Sequence, residues 1–211
     1  MPRKKRIWYS GACYHLMGRG NRHCAIFQEK EDYIIFLHLL YAIRERYPFI
    51  LHACCLMTNH FHLEITTLSD PVWKLMQPLM NHYARNFNQK YGYDGHLFDS
   101  RYCSGLIEDD TYFLEVSRYI HLNPVKAQMV RSPLDYEYSS YGLFVNQDMN
   151  ADDSPVGKLI SDLVDTSRVH SCFRYDPREQ YRMFVEGKIS HAEQEMLIQK
   201  DMKEDDMWLP W

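Results

Sequence analysis

Hydrophobic and polar positions change their period several times along the first half of the chain. The apolar run 12–18, which ends at a glycine, predicts a strand, and the run 18–22 after it, rich in glycine and arginine, predicts a loop. In the segment 30–47 apolar residues such as Ile34 and Leu37 recur three and four positions apart, acidic residues cluster at its start and arginines near its end. This spacing and charge distribution predict a helix.

The next segments predict two strands, a helix and a further strand. Residues 49–57 and 60–67 are rich in β-forming residues, and Thr58-Asn59 between them can make a tight turn. Asp70-Pro71 predicts a helix start, with aspartate as the cap and proline at the first position, and this helix is expected to run to residue 92. Residues 103–108 predict the fourth strand.

A last helix completes the pattern. Asp109-Asp110 predicts a cap for a helix over 111–122, which Pro124 stops or kinks. The resulting order β-α-β-β-α-β-α predicts an α+β fold with a ferredoxin-like antiparallel sheet. Two helices are expected on one face of the sheet, and the last helix is free to cross the other face.

The C-terminal part has a different composition. After residue 145 the chain becomes polar up to Pro155 and then predicts short helices. We therefore expect a domain over 1–145, followed by a linker and an acidic, mostly helical extension over 146–211.

Net charge divides the chain in the same way. The whole chain has a formal charge of −4, which by itself argues against a nucleic-acid partner. Residues 1–131 carry 16 Lys and Arg against 12 Asp and Glu, whereas residues 132–211 carry 8 against 16. The acidic C-terminal part therefore masks a basic N-terminal part, which begins with four consecutive cations at 3–6 and is suited to a polyanion.

The candidate chemistry lies on the third predicted strand. Period-two alternation puts Phe61, Leu63 and Ile65 on one face of this strand. It puts His60, His62 and Glu64 on the other face. Two imidazoles one strand repeat apart can bind one divalent ion. With 11 histidines in the chain, the pair alone is a weak signal, and two structural histidines on a half-exposed strand would give the same pattern.

A second group of polar residues lies on the last predicted helix. Tyr119 and Asn123 are four residues apart and share one helical face, so Asn123 can present its amide oxygen to an ion held by the two histidines. The Tyr119 phenol would then lie beside a cation, where it can attack a phosphodiester and leave a 5′-phosphotyrosine and a free 3′-OH. Tyr112, two turns earlier on nearly the same face, is the rival nucleophile. His121 points away from this face and is expected to be structural.

These motifs resemble those of a known family. The runs Tyr14–Arg22, His60-Phe61-His62, Gly95–Tyr102 and Tyr119–Ala127 are similar to those of the HUH single-tyrosine transposases, in particular the REP-associated tyrosine transposases of bacteria. The resemblance covers about residues 7–145. It implies that His60, His62 and Asn123 hold Mg²⁺ or Mn²⁺, and that Tyr119 is the nucleophile.

The resemblance also implies a substrate and a setting. The expected activity is cleavage and rejoining of single-stranded or hairpin DNA, with REP-type palindromic repeats as targets and without a nucleotide cofactor. A cytoplasmic, nucleoid-associated monomer is expected rather than a homodimer. The sequence agrees with this setting, because no apolar stretch is long enough to span a membrane and six cysteines form no CxxC pair. Candidate DNA contacts are Arg3, Lys4, Lys5, Arg6, Arg19, Arg22, Arg101, Arg118 and Lys126.

Two other functions fit the same residues. A DNA-binding protein or repressor that recognises such hairpins could keep the fold without cleaving. A zinc hydrolase could use His60 and His62 with Cys54 or His52 as a further ligand.

Overall fold

The computed structural model describes residues 7–146 and 154–187. Within them the element order is that of the sequence-based prediction, with additional short helices in the C-terminal part. The strands are β1 (Cys13–Arg19), β2 (Phe49–Met57), β3 (His60–Thr67) and β4 (Cys103–Ile107). The helices are α1 (Lys30–Arg46), α2 (Val72–Tyr91), α3 (Asp110–Lys126), α4 (Tyr141–Val145), α5 (Pro155–Leu163), α6 (Ser167–Ser171) and α7 (Pro177–Glu186).

The four strands form one antiparallel sheet in the order β2-β3-β1-β4. Strand β1 therefore lies between β3 and β4. The strand that follows β1 along the chain, β2, lies on the far side of β3. This order and the two helical crossovers confirm the predicted ferredoxin-like sheet. Because opposed residues of antiparallel strands share a face, the pairing also fixes which side chains of β1 lie beside those of β3.

One face of the sheet is covered by α1 and α2. Phe61, Leu63 and Ile65 of β3 are fully buried in this core, as their alternation predicts. The ring of Phe61 lies so close to Gly18 of β1 that a side-chain carbon at position 18 would be only 2.5 Å from it. Glycine at this position therefore allows the aromatic ring to fill the space under α2.

The opposite face is covered by α3 and by the C-terminal helices. Phe113 and Ile120 of α3 are buried there together with Tyr181 and Val185 of α7. Helix α5 instead packs against α1 and adds its apolar residues to the first core. The described part of the predicted extension thus contributes to both cores, while the boundary at residues 145 and 146 stays a prediction.

One predicted helix terminus is confirmed by the structure, and two differ from the prediction. Asp109 caps α3 as predicted, because its carboxylate accepts a hydrogen bond of 2.7 Å from the Tyr112 amide. Asp70 does not cap α2, since Pro71 occupies the cap position and Asp70 pairs with Lys74 at 2.8 Å. Helix α3 also continues through Pro124 to Lys126. Proline lacks one backbone N–H donor, and Pro124 lies only two residues before the end of the helix.

No helix in the described ranges is both long and apolar enough to cross a membrane.

Candidate active site

The two histidines of the His-x-His pair lie on the sheet face that α3 crosses. His60 is half-buried at the start of β3, and His62 is 1% exposed in its middle. Their ring centroids are 5.0 Å apart and the rings are nearly perpendicular, at 89°. The predicted separation of faces is confirmed, because the apolar residues of β3 belong to the other core.

Helix α3 brings the predicted nucleophile to these histidines. The Tyr119 ring stands edge-on to His62, with centroids 5.4 Å apart, and it is half-buried. Lys126, two turns later, places its ammonium 4.5 Å from the centre of the Tyr119 ring. The Tyr119 ring is therefore close to both an imidazole and a cation.

Asn123 occupies the position one turn after Tyr119. Its side-chain amide nitrogen donates a hydrogen bond of 2.9 Å to the Tyr119 carbonyl oxygen. This bond uses the nitrogen and turns the amide oxygen away from that carbonyl. Asn123 is only 9% exposed, so it is largely enclosed by its neighbours.

A third histidine, His15 of β1, joins the group. Its Nε2 lies 2.9 Å from Nδ1 of His62, and its ring is edge-on to Tyr119 with centroids 5.7 Å apart. His15 lies within the run Tyr14–Arg22 that resembles the family, but no role is predicted for it from the sequence. Period-two alternation on β1 could have found it, because residues 15, 17 and 19 share a face.

Burial keeps these imidazoles neutral. It lowers the pKa of His60 to about 4, with Arg19 and His23 acting in the same direction, and it lowers the pKa of His15 to about 4. Burial and, after it, the neighbouring His15 hold the pKa of His62 well below its ordinary value. Neutral imidazoles keep the lone pair that a metal ion requires.

The donor atoms fit a weakly held divalent ion. Nδ1 of His60 donates to the side-chain oxygen of Asn59 at 2.6 Å, and Nδ1 of His62 faces His15, so Nε2 of each ring is the nitrogen left for a ligand. Within residues 7–146 and 154–187, no three His, Cys, Asp or Glu side chains form a cluster that could hold a metal. Two imidazoles and the Asn123 amide would therefore need water or a substrate phosphate to complete the coordination of Mg²⁺ or Mn²⁺.

The rival residues lie elsewhere. Tyr112 is at the capped start of α3, about 10 Å before Tyr119 along the helix axis. His121 is fully buried on the opposite side of α3, where it bonds to Tyr181 and Ser140, so its structural role is confirmed. Cys54 pairs with Leu63 and belongs to the core under α1 and α2, which places it on the wrong face to join His62.

His52, the other candidate zinc ligand, is engaged further along the sheet. Its Nε2 lies 2.7 Å from the Thr66 hydroxyl, and its ring is edge-on to Phe113. Neither additional ligand proposed for a zinc hydrolase is therefore brought to the His60 and His62 pair.

The predicted basic contacts within the described residues are distributed over four places. Arg19 is the cross-strand partner of His60, and Arg22, exposed in the turn after β1, has a positive φ of 51°. Arg101 is exposed before β4, and Lys126 is exposed beside Tyr119. Arg118 is 8% exposed, and its guanidinium lies over the Phe184 ring of α7. Arg3, Lys4, Lys5 and Arg6 lie outside the described residues.

Comparison with known proteins decides the family. The sequence model described as "Transposase IS200 like" matches residues 9–123, which is more than half of the chain and includes His15, His60, His62, Tyr119 and Asn123. The chain belongs to the IS200-like transposase family. The family resemblance inferred from the sequence motifs is thereby confirmed.

Two relatives of this IS200-like transposase carry more specific names. A provisionally named REP-associated tyrosine transposase of Haemophilus influenzae is 28% identical over 122 residues, which are 52% of this chain and 68% of the relative. A solved REP-associated tyrosine transposase bound to a REP hairpin matches with a TM-score of 0.55 and 19% identity, over 66% of this chain and 82% of its own. The second match supports the fold alone, and the name of the first agrees with the branch that the sequence motifs resemble.

Proposed function

We propose that this transposase cleaves and rejoins single-stranded or hairpin DNA, with Tyr119 as the nucleophile. The observation that carries the proposal is that, within one chain, the Tyr119 ring stands edge-on to His62 while Asn123 lies one turn further on the same helix. Family membership alone supports the coarser conclusion that the protein is an enzyme that acts on DNA. The residue roles, the metal dependence and the DNA target are what the proposal adds.

Each residue has a defined task in the proposed reaction. The Tyr119 phenol releases its proton to water as its oxygen attacks a backbone phosphorus. The bond from phosphorus to the 3′ oxygen breaks, and that oxygen takes up a proton from water and leaves as a 3′-OH. Tyr119 is then joined to the 5′ phosphate. Attack by a 3′-OH on this phosphotyrosine reverses the step and rejoins DNA without an external energy source.

The metal site follows from the donor atoms. His60 and His62 would hold Mg²⁺ or Mn²⁺ through Nε2, and Asn123 would contribute its amide oxygen. When bound, the ion withdraws charge from the phosphodiester and makes phosphorus more electrophilic. The ammonium of Lys126 lies beside the Tyr119 ring, and Arg19 is the cross-strand partner of His60. We assign both cations to the phosphate oxygens of the strand.

The DNA target and the assembly rest on the relatives and on the single-chain site. REP-type hairpins are the proposed substrate because a protein of the same fold was solved with a REP hairpin. Since repeats of this kind are part of the genome, we also propose that the protein acts at the nucleoid. Since one chain brings Tyr119 to His62, we propose a monomer. Analytical ultracentrifugation should then give the mass of one chain, 25.3 kDa, and a two-chain mass contradicts this assembly.

A covalent-adduct assay tests the proposal. The full-length protein is incubated with Mn²⁺ and a labelled REP-type hairpin, and a labelled protein band resistant to denaturation is expected. Tyr119→Phe should abolish the band, whereas Tyr112→Phe, the matched variant on the same helix, should retain it. Chelator should also abolish it, and hairpin binding without any adduct would favour the non-cleaving DNA-binding alternative.

A further inference from the structure

The two candidate metal-ligating histidines are each held by a different neighbour. For His60 the neighbour is Asn59, whose side-chain oxygen can only accept, so the proton of the His60 ring is on Nδ1. For His62 the neighbour is His15, and either ring can donate in the contact between them. The contact by itself therefore does not determine which ring nitrogen of His62 carries the proton.

The contact between His15 and His62 is an end-to-end hydrogen bond. The ring planes differ by only 23°, and the centroids are 5.1 Å apart although two nitrogens approach to 2.9 Å. Rings stacked face to face would have closer centroids and more distant nitrogens. The two imidazoles instead lie nearly in one plane, which is the arrangement of an N–H···N hydrogen bond.

The sheet register makes this contact possible. His15 is the direct cross-strand partner of Glu64, and Met17 is the partner of His62, so the two histidines are diagonal neighbours on one face. Diagonal neighbours are within reach of long or aromatic side chains. Tyr119 closes the group from α3, because its ring is edge-on to both imidazoles.

We infer that His15 is a positioning residue that accepts a hydrogen bond from Nδ1–H of His62 and thereby directs Nε2 of His62 toward the metal. The inference rests on the proposed function, because it assigns the ligand atom of a site that the proposal defines. His15 has the same task for His62 that Asn59 has for His60. A partner on the second ring nitrogen fixes both the tautomer and the orientation of a metal-ligating histidine.

Two substitutions at position 15 separate this role from simple packing. His15→Gln keeps a polar acceptor near the position of Nε2, whereas His15→Leu fills the space without one. His38→Leu removes an exposed histidine of α1 and serves as the matched control. All variants are made in the full-length protein, and folding is checked by circular dichroism and thermal unfolding.

The first measurement needs no metal. Nitrogen-15 NMR of the histidine rings in chelator reports which ring nitrogen of His62 carries the proton. We expect the Nδ1–H form in the parent protein, in His15→Gln and in His38→Leu, and a shift toward the Nε2–H form in His15→Leu. An Nε2–H form in the parent protein, or the same tautomer in His15→Leu, overturns the inference.

The second measurement is Mn²⁺ affinity by titration calorimetry. His15→Leu is expected to weaken binding about 10–100-fold, with substantial recovery in His15→Gln and no change in His38→Leu. Unchanged affinity in His15→Leu, while His62→Ala abolishes binding, overturns the inference and leaves the proposed metal site standing. If the parent protein itself binds no Mn²⁺ at His60 and His62, the proposed metal site is wrong. That outcome contradicts the proposed function, and with it the role of His15.

Discussion

At the scale of single residues, each candidate ligand is oriented by one neighbour close to it. Asn59 holds His60, His15 contacts His62, and the Tyr119 carbonyl accepts from Asn123. These three contacts leave one nitrogen on each ring and the oxygen of the amide for a bound ion. Side chains that are held before the ion arrives lose less conformational freedom when it binds.

Asn123 offers the most direct test of the ligand set. Mg²⁺ and Mn²⁺ prefer charged oxygen ligands to neutral ones. Asn123→Asp is therefore expected to tighten Mn²⁺ binding, whereas Asn123→Ala, which removes the oxygen, should weaken it about tenfold, or ~1.4 kcal/mol. Titration calorimetry in the absence of DNA measures both effects. Equal affinities in the two variants would remove Asn123 from the ligand set.

At the scale of elements, α3 has two functional faces. One carries Tyr119 and Asn123, and the other carries Ser117 and His121. The hydroxyl of Tyr181 on α7 lies 2.6 Å from the Ser117 hydroxyl and 2.7 Å from Nδ1 of His121, in a fully buried location. These hydrogen bonds join the C-terminal part to the helix that carries Tyr119.

Tyr181→Phe removes that buried hydroxyl and leaves two polar groups of α3 without their partner. The expected loss is about 1–3 kcal/mol in the free energy of unfolding, because unpaired buried polar groups keep their full desolvation cost. Chemical denaturation measures this loss. Tyr175→Phe removes a hydroxyl from a side chain that is 77% exposed, and it should change stability by no more than a few tenths of a kcal/mol. Equal stabilities of the two variants would contradict the bracing of α3 by α7.

Local signals in the sequence predicted elements better than they predicted contacts between them. The alternation along β3 and the cap at Asp109 depend on neighbouring residues, and both are present in the structure. The contact of His15 with His62 depends on the register of β1 against β3, which no local pattern specifies. The bond between His121 and Tyr181 joins residues 60 positions apart, so only the folded chain brings it about.

At the scale of the whole molecule, charge and burial act together around the sheet. A fully buried carboxyl, Glu64, faces α3, and burial raises its pKa well above the ordinary value while Arg168 of α6 opposes the shift. Arg168 also pairs with Asp110 at 3.0 Å and lies over the Phe113 ring, 3.9 Å from its centre. The C-terminal part therefore supplies a cation to a sheet face whose buried groups are kept neutral.

Buried neutral histidines make the stability of the whole molecule sensitive to acid. Burial lowers the pKa of His52 to about 4 from an ordinary value of 6.5, and lowers that of His121 to about 3. Below pH 6.5 the unfolded chain therefore binds protons that the folded chain does not, and the free energy of unfolding falls as the pH falls.

His52→Gln isolates one of these contributions. Each such histidine adds up to about 1.4 kcal/mol per pH unit to the slope of the free energy of unfolding against pH. Between pH 6 and pH 4.5 this variant should therefore lose stability more slowly than the parent protein. Denaturant unfolding in chelator, repeated across this range, measures the slope. His82→Gln changes an exposed histidine of α2 and should leave the slope as in the parent. The parent slope in His52→Gln would contradict this prediction. His52 would then take up its proton as readily in the folded state as in the unfolded state, and its burial against Phe113 and Thr66 would not control its charge.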